Sequence, residues 1–293
     1  MKVGFVGLGR MGRAIAGRLQ GAGHDLIVYN RTPGKAAELA AAGAAVGASV
    51  AKACEGREIV ASMLSDDAAL EEVALGAGGL RDSLPAGAIH VAMGTHGVEA
   101  IRALALAHAA SGQTLVAAPV LGRPDVAAAG QLGIVAAGPE NALKKCEALF
   151  RVIGRRTFEA GAAPEAAASI KLANSFLLGC ALEAMGEAFS LVRRYGVVPQ
   201  VLYDVMTDGL FSAPAYKVYG KIMVDEAYDN VGFTTQLALK DLNLVLAAGN
   251  SGRIPLPSAN TVHDRLLGAI AHGDAGRDWA VLALEQARAS GLK

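Results

Sequence analysis

The sequence predicts an α/β fold: a doubly wound, mostly parallel sheet, then an all-α domain, with a long interdomain helix joining the two. Three observations carry this. From residue 1 to about 160, short apolar runs alternate with stretches of helical period, the pattern of a parallel sheet covered by helices on both faces. From Pro164 to about Arg194 the chain reads as one helix of Ala, Leu, Ile, Met and Glu, with Gly179 and Gly186 its only weak points. Beyond it no convincing strand returns. The break at Ala160-Gly161-Ala162-Ala163-Pro164 divides the chain into an α/β domain, 1–162, and a helical domain, 163–293.

The elements follow in order. Strands are expected at 3–6, 26–30, 44–46, 58–63, 88–93, 114–117 and 132–137, and helices at 33–42, 66–74, 98–111 and 139–150. Pro33 and Pro139 suit first helical positions. The helix from Pro164 would be about 45 Å long, more than a small domain requires, so it bridges two domains or two subunits. Shorter helices are expected at 199–207, 216–223, 235–249, 257–272 and 279–289, set apart by Pro255, Pro257 and glycine-rich turns.

Composition narrows the classes. The 293 residues are 53% hydrophobic but only 5% aromatic, so the core is built of Ala, Val, Leu and Ile. Lys and Arg number 27, Asp and Glu also 27, which leaves no basic bulk for nucleic acid or an anionic membrane. Mean hydropathy is high at +0.35, yet no uninterrupted apolar run approaches the ~20 residues of a membrane span. The excess is assigned to alanine and to a large interface between subunits: a homodimer with interlocked helical domains, or a tetramer. Cys54, Cys146 and Cys180 are few and far apart, which argues against a disulfide framework and a metal site. With a strand expected from residue 2 and no leader pattern, a cytoplasmic location is expected.

Function begins at Val3-Gly-Phe5-Val6, which leads directly into Gly7-Leu8-Gly9-Arg10-Met11-Gly12 and a helical pattern through Ile15 and Leu19. Strand, glycine-rich turn and helix are what a dinucleotide pyrophosphate needs, and they make the first domain Rossmann-like. Gly7 permits the turn, Gly9 removes a Cβ that would block the phosphates, and Gly12 lets helix and strand pack closely. The next strand ends at Asn30-Arg31-Thr32, with Lys35 beyond. Asn30 is uncharged where an NAD site places Asp or Glu, and a guanidinium at Arg31 matches a 2′-phosphate. NADP (NADPH) is therefore expected in preference to NAD, against the plainer role of Arg31 as a solvated surface side chain.

The remaining loops offer choices. Met63-Leu64 would pass over the cofactor, with Ser65 or Asp66 capping the next helix. Thr95 would cap a helix, bond the nicotinamide amide, or both, and His96 is an acid/base group or a packed histidine. Leu121-Gly122-Arg123 lies at the mouth; Arg123 holds a substrate anion or is a surface residue in a Pro-bounded turn. On the long helix, Lys171, Asn174 and Ser175 share one face. A lysine among apolar residues beside an interdomain cleft is a candidate proton donor to a carbonyl oxygen; on spacing alone, a surface lysine on an amphipathic helix is the better reading.

Gly7-Leu-Gly-Arg-Met-Gly12, Asn30-Arg31-Thr32, Met63-Leu64, Lys171-Leu-Ala-Asn174 and Leu239-Lys240-Asp241-Leu242 together resemble the β-hydroxyacid dehydrogenase family over nearly the whole chain. That family includes 3-hydroxyisobutyrate dehydrogenase and the glyoxylate/succinic semialdehyde reductases. The resemblance implies that Lys171 is the general acid/base, that Asn174 assists it, that Lys240 with Asp241 lies by nicotinamide and substrate, and that Phe233 is an aromatic near the cofactor. It also makes the long helix a dimer element. Departures fall on the substrate side: Gly94-Thr95-His96-Gly97 stands for Ser-Thr-x-Ser, Leu121-Gly122-Arg123 for Ser-Gly-Gly, and Ser175 for Asn or Gln. The expected activity is NADP-dependent interconversion of a small 3-hydroxy acid and its semialdehyde, or reduction of a small aldehyde acid. Imine reduction is the alternative, since imine reductases are similar in the Asn30–Lys35 stretch but usually lack the lysine. A non-catalytic cofactor-binding relative is the third.

Overall fold

The computed structural model describes residues 1–292. The order of elements is β1 (Lys2–Val6), α1 (Arg10–Gly21), β2 (Asp25–Tyr29), a 3-10 turn (Pro33–Ala36) running into α2 (Ala37–Ala41), β3 (Ala45–Val46), α3 (Val50–Cys54), β4 (Ile59–Ser62), α4 (Asp67–Leu75), α5 (Leu80–Ser83), β5 (Ile89–Ala92), α6 (Val98–Ala110), β6 (Thr114–Ala117), β7 (Val120–Leu121), α7 (Pro124–Ala128), β8 (Leu132–Ala136), α8 (Glu140–Ile153) and β9 (Gly154–Glu159). All helices follow: α9 (Pro164–Arg194), α10 (Pro199–Asp208), α11 (Pro214–Val224), α12 (Thr235–Gly252), α13 (Pro257–Ala271), a 3-10 turn (Trp279–Val281) and α14 (Leu282–Ala289). Two compact units result, Met1–Lys171 and the chain from Leu172 onward, so the first eight residues of α9 go with the first unit.

In the first unit six parallel strands run in the order β3-β2-β1-β4-β5-β6. Alternate strand residues point to opposite faces, and each face has its own apolar layer. Val3, Phe5, Val28, Val91 and Val116 pack with Ile15 and Leu19 of α1 and with Leu149 and Ile153 of α8. On the other face Val60, Ala92 and Leu115 pack with Leu70 of α4, Ile101 and Leu104 of α6, and Ala167 and Ala168 of α9. Strands buried on both faces read as nearly continuous apolar runs, which is why the sequence showed them.

The strand expected at 132–137 forms, but in a second sheet. There β8 pairs antiparallel with β7 and parallel with β9, and a bridge from Ala117 to Ala137 ties this sheet to the end of β6. The sequence hid both partners, because β7 has two residues and β9 is the largely exposed GRRTFE.

The second unit is helical. Leu182, Met185 and Phe189 of α9, Leu242 and Val245 of α12, Val262 and Leu266 of α13, and Trp279 to Leu282 are all buried. By length and composition alone α9 is apolar enough to cross a membrane. Its Glu183, however, is buried and pairs with Arg265 Nε of α13 at 2.8 Å, as in the core helix of a helical bundle.

Candidate active site

Strand register sets up the site. Val6 stands opposite both Tyr29 and Ser62, Ser62 opposite Ala92, and Ala92 opposite Ala117. These five residues form one row at the carboxyl edge of the sheet. At about 4.8 Å per strand the row spans about 19 Å, and every loop singled out in the sequence leaves from it, the position where ligands bind in open α/β sheets.

The glycine turn is shaped by backbone contacts. Gly7 has φ of 95°, and a Cβ on it would lie 2.4 Å from the Met63 carbonyl oxygen. A Cβ on Gly12 would lie 1.9 Å from the Gly7 carbonyl oxygen and 3.4 Å from the Phe5 ring. Gly12 thus makes room first for the turn's own carbonyl and only then for the strand. Apart from Gly9 and its chain neighbours, no described residue has an atom within 4 Å of where a Gly9 Cβ would be. Helix α1 begins there with no side-chain cap and no acidic residue in its first turn. An uncapped, positively polarised helix end facing open space fits a pyrophosphate. Met11 packs in part on the core. Leu8 is fully buried, so its side chain belongs to the core.

Asn30 also serves the turn. Its Oδ1 accepts the Leu8 N–H at 2.9 Å, and its Nδ2 donates to the Thr32 carbonyl at 3.0 Å. It ties the loop after β2 to the phosphate turn. Arg31, Thr32 and Lys35 are exposed at this end of the edge. Arg31 Nη1 lies 3.3 Å from Glu72 Oε2 of α4.

Met63 and Leu64 are half-buried beside the turn. Of the two candidate caps after them it is Asp66 that caps α4, its Oδ1 accepting the Ala69 N–H at 2.8 Å while Ser65 Oγ donates to its Oδ2 at 2.7 Å. Thr95, half-buried, does not cap α6. Gly97 holds that position, and its N–H goes to the carboxylate of Asp67 at 3.0 and 3.2 Å. Asp67 also holds His96 Nδ1 at 3.1 Å. The His96 side chain has no exposed surface and its Nε2 has no hydrogen-bond partner, so the packed alternative describes it. Leu121 and Arg123 are half-buried, and Gly122, at φ 142°, is hemmed by Leu132 and Val126. The Arg123 guanidinium has no ion-pair partner among the described residues.

A polar column inside the sheet has no signal in the sequence. Ser62, His90, His108 and Gln113 are all buried. Gln113 Nε2 donates to the Arg81 and Leu84 carbonyls at 2.8 and 2.7 Å, so its Oε1 faces His108 Nδ1 at 2.6 Å as an acceptor. His108 Nε2 must then accept from His90 Nδ1 at 2.9 Å, and His90 Nε2 from Ser62 Oγ at 2.7 Å. Both rings are neutral in this order. Burial lowers the pKa of both, assisted at His90 by His108 and His96 and at His108 by Arg81.

Helix α9 begins within the apolar layer on one face of the sheet. Ala167 and Ala168 are buried in one cluster with Val6, Ala92 and Ala117, three members of the row, and Glu165 pairs with Arg102 Nε of α6 at 3.2 Å. Lys171, half-buried, lies three and four residues beyond these alanines, on the same helix face. In the second unit, Ser175 Oγ donates to Asp241 Oδ2 at 3.0 Å. Lys240 Nζ is 2.8 Å from Asp241 Oδ1, in charge contact rather than in an aligned hydrogen bond. Ser175 and Asp241 are buried and bonded to each other, a clasp between α9 and α12 that leaves Lys240 the more accessible member. Asn174 is exposed, and Phe233 packs edge-on to Trp279 at 5.4 Å.

A phosphate turn at the carboxyl edge of a doubly wound sheet, with a helical unit after it, defines an NAD(P)-dependent oxidoreductase of the dehydrogenase/reductase type. The family model described as the NAD binding domain of 6-phosphogluconate dehydrogenase matches residues 2–161, and that described as NAD-binding of NADP-dependent 3-hydroxyisobutyrate dehydrogenase matches residues 166–284. The chain therefore belongs to the β-hydroxyacid dehydrogenase family, of 3-hydroxyisobutyrate dehydrogenase and semialdehyde reductase type. It is 38% identical to the uncharacterized oxidoreductase YfjR of Bacillus subtilis, over 96% of this chain and 98% of that one. Glyoxylate/succinic semialdehyde reductase 1 of Arabidopsis thaliana is 31% identical, over 90% and 91%. The 3-hydroxyisobutyrate dehydrogenase of Mycobacterium tuberculosis, solved with L-serine, matches with a TM-score of 0.88 at 25% identity, over 97% and 98%. An imine reductase from Bacillus cereus, at 19% identity over 96% and 97% and a TM-score of 0.66, shares the fold.

Proposed function

We propose that the protein is an NADP-preferring enzyme that interconverts a small 3-hydroxy acid and its semialdehyde, or reduces a small aldehyde acid, with Lys171 as general acid/base. The observation that supports this is that Lys171 shares a face of α9 with Ala167 and Ala168, which are buried in the apolar cluster that also holds Val6, Ala92 and Ala117. The similarity to a semialdehyde reductase and a 3-hydroxyisobutyrate dehydrogenase supports the substrate class.

Residues 1–162 are the NADP-binding part and 163–293 the substrate and dimerisation part. The backbone of Gly7 to Gly12 would hold the pyrophosphate, Arg31 with Lys35 and Thr32 the 2′-phosphate, and Met63, Leu64 and Thr95 the groups beyond; Phe233 is assigned to the cofactor by the family resemblance. When bound, NADPH supplies the hydride that reduces the carbonyl carbon. Lys171 holds a proton at the substrate oxygen: its ammonium donates as the oxygen gains charge, and the free amine takes the proton back in the oxidative direction. Asn174 orients the substrate oxygen. Arg123, half-buried and without an ion-pair partner among the described residues, holds the carboxylate in place of the usual serine, with Leu121 and Gly122 shaping the loop. Lys240, fixed by Asp241 and Ser175, adds positive charge for the anionic substrate.

A second copy of the chain is the expected partner. In the helical unit, Leu177, Leu191, Val198, Val201, Val205 and Leu210 are at least half exposed, apolar surface that a second copy could cover. A homodimer, or a tetramer, in the cytoplasm fits this.

Replacing Lys171 by alanine should lower kcat by about 10²- to 10⁴-fold while NADPH still quenches the intrinsic fluorescence. Near-normal turnover on the true substrate would overturn the assignment. Turnover of cyclic imines alone, in a panel that also holds C3–C5 semialdehydes, would move the reading to imine reduction. NADPH binding without turnover anywhere would leave a non-catalytic relative.

A further inference from the structure

The ribose end of the site carries a carboxylate as well as a guanidinium. Arg31 follows β2 and Glu72 lies on α4, which follows β4; in the sheet these two strands flank β1. Their ion pair, 3.3 Å from Nη1 to Oε2, therefore spans the edge above the β1 turn, where the adenosine ribose must enter if the pyrophosphate lies on α1. Both partners are largely exposed, at 83% and 65% of their side-chain surface. The pair is thus labile, and Glu72 is close enough for its charge to act on whatever Arg31 binds.

We infer that Glu72 is a specificity-determining residue, which restrains the preference for a 2′-phosphorylated dinucleotide by competing for Arg31. This rests on the reading of Arg31 as the 2′-phosphate group. A 2′-phosphate has to take the guanidinium from Glu72 and then sit near a like charge. A 2′-hydroxyl carries no charge, leaves the ion pair in place, and offers the carboxylate a hydrogen-bond donor. Glu72 therefore weakens NADPH more than NADH. An exposed ion pair is worth at most about 1 kcal/mol, so the competition amounts to about two- to fivefold in Kd.

The test is fluorescence titration of NADPH and NADH against the full chain, with no substrate present. The proteins are the wild type, Glu72→Gln, Arg31→Ala and the double variant, in low salt and in 0.5 M NaCl. Glu72→Gln should bind NADPH about two- to fivefold more tightly, NADH no more tightly, and the gain should shrink in high salt. In the Arg31→Ala background the gain should be mostly lost. An equal change for both cofactors, or no change for either, overturns the inference. So does a gain that persists in full without Arg31. If Arg31→Ala weakens NADPH no more than NADH, the 2′-phosphate reading itself falls, a result separate from the response to Glu72.

Discussion

The two ends of the carboxyl edge are built differently. At the β1–β2 end the shape is made by main chain: a glycine with positive φ, a second glycine against its carbonyl, and a helix start left open, with charged side chains in solvent. At the β4–β5 end it is made by enclosed side chains: Asp67 gripping the Gly97 N–H and His96, and the column from Ser62 to Gln113 beneath. The glycine turn of the first end is specified by Gly7, Gly9 and Gly12, within six consecutive positions. The second end is specified by pairs mostly 18 to 32 positions apart. A binding surface for a common cofactor can be written as a local motif, whereas the part that holds the loops still is distributed through the fold.

The sharpest way to break this comparison is Gly12→Ala. A Cβ 1.9 Å from a backbone oxygen cannot be relieved by a side-chain rotation, so the turn must move. NADPH affinity should fall about 100-fold, the equivalent of about 3 kcal/mol, as the displaced turn loses its fit to the pyrophosphate, and the urea midpoint should fall by less than this. Tight NADPH binding in a titration of that variant would show that the turn is not held as described.

The opposite pattern is expected from His108→Leu. It leaves the His90 N–H and the Gln113 carbonyl oxygen buried without partners, which should cost about 2–3 kcal/mol of stability while NADPH binding, once the protein is folded, holds. Chemical denaturation with a parallel NADPH titration separates the two.

The smallest effect is one of pH. Both column histidines have pKa values lowered in the folded protein, first by burial, whereas in the unfolded chain they titrate near 6.5. As pH falls below that value the unfolded state takes up protons that the folded state refuses. Stability contributed by the column is therefore complete above about pH 6.5 and declines below it, by up to about 1.4 kcal/mol per pH unit for each histidine until the folded pKa is reached. Denaturation midpoints at pH 7.5 and 5.5 should differ in the wild type and differ less in His108→Leu. A wild-type midpoint that is flat across this window would contradict neutral, locked rings.

The same division explains what the sequence could reveal. Each of the six parallel strands announces itself by an apolar run, and the glycines by their spacing, so the α/β class, the turn and the long helix were legible. Strand β9 was not, because GRRTFE is exposed and has no apolar period. The cap of α6 was not, because the carboxylate comes from Asp67 rather than from the adjacent Thr95. Ser62, His90, His108 and Gln113 lie on or beside three different strands and a helix, and nothing near any one of them in sequence signals the other three. Glu72 likewise gained its meaning only when the fold set it beside Arg31.

The column has one further consequence. Its hydrogen bonds have a single sense, because the Gln113 amide is committed to two carbonyls and cannot turn over without abandoning both. A chain that passes protons must take one in at one end and release one at the other, and a carboxamide does neither. The line of rings beneath the edge is therefore an insulator: no proton can leave the site by that route. The Ser62 hydrogen is kept pointing inward, toward His90, and the hydroxyl can meet anything above it only as an acceptor.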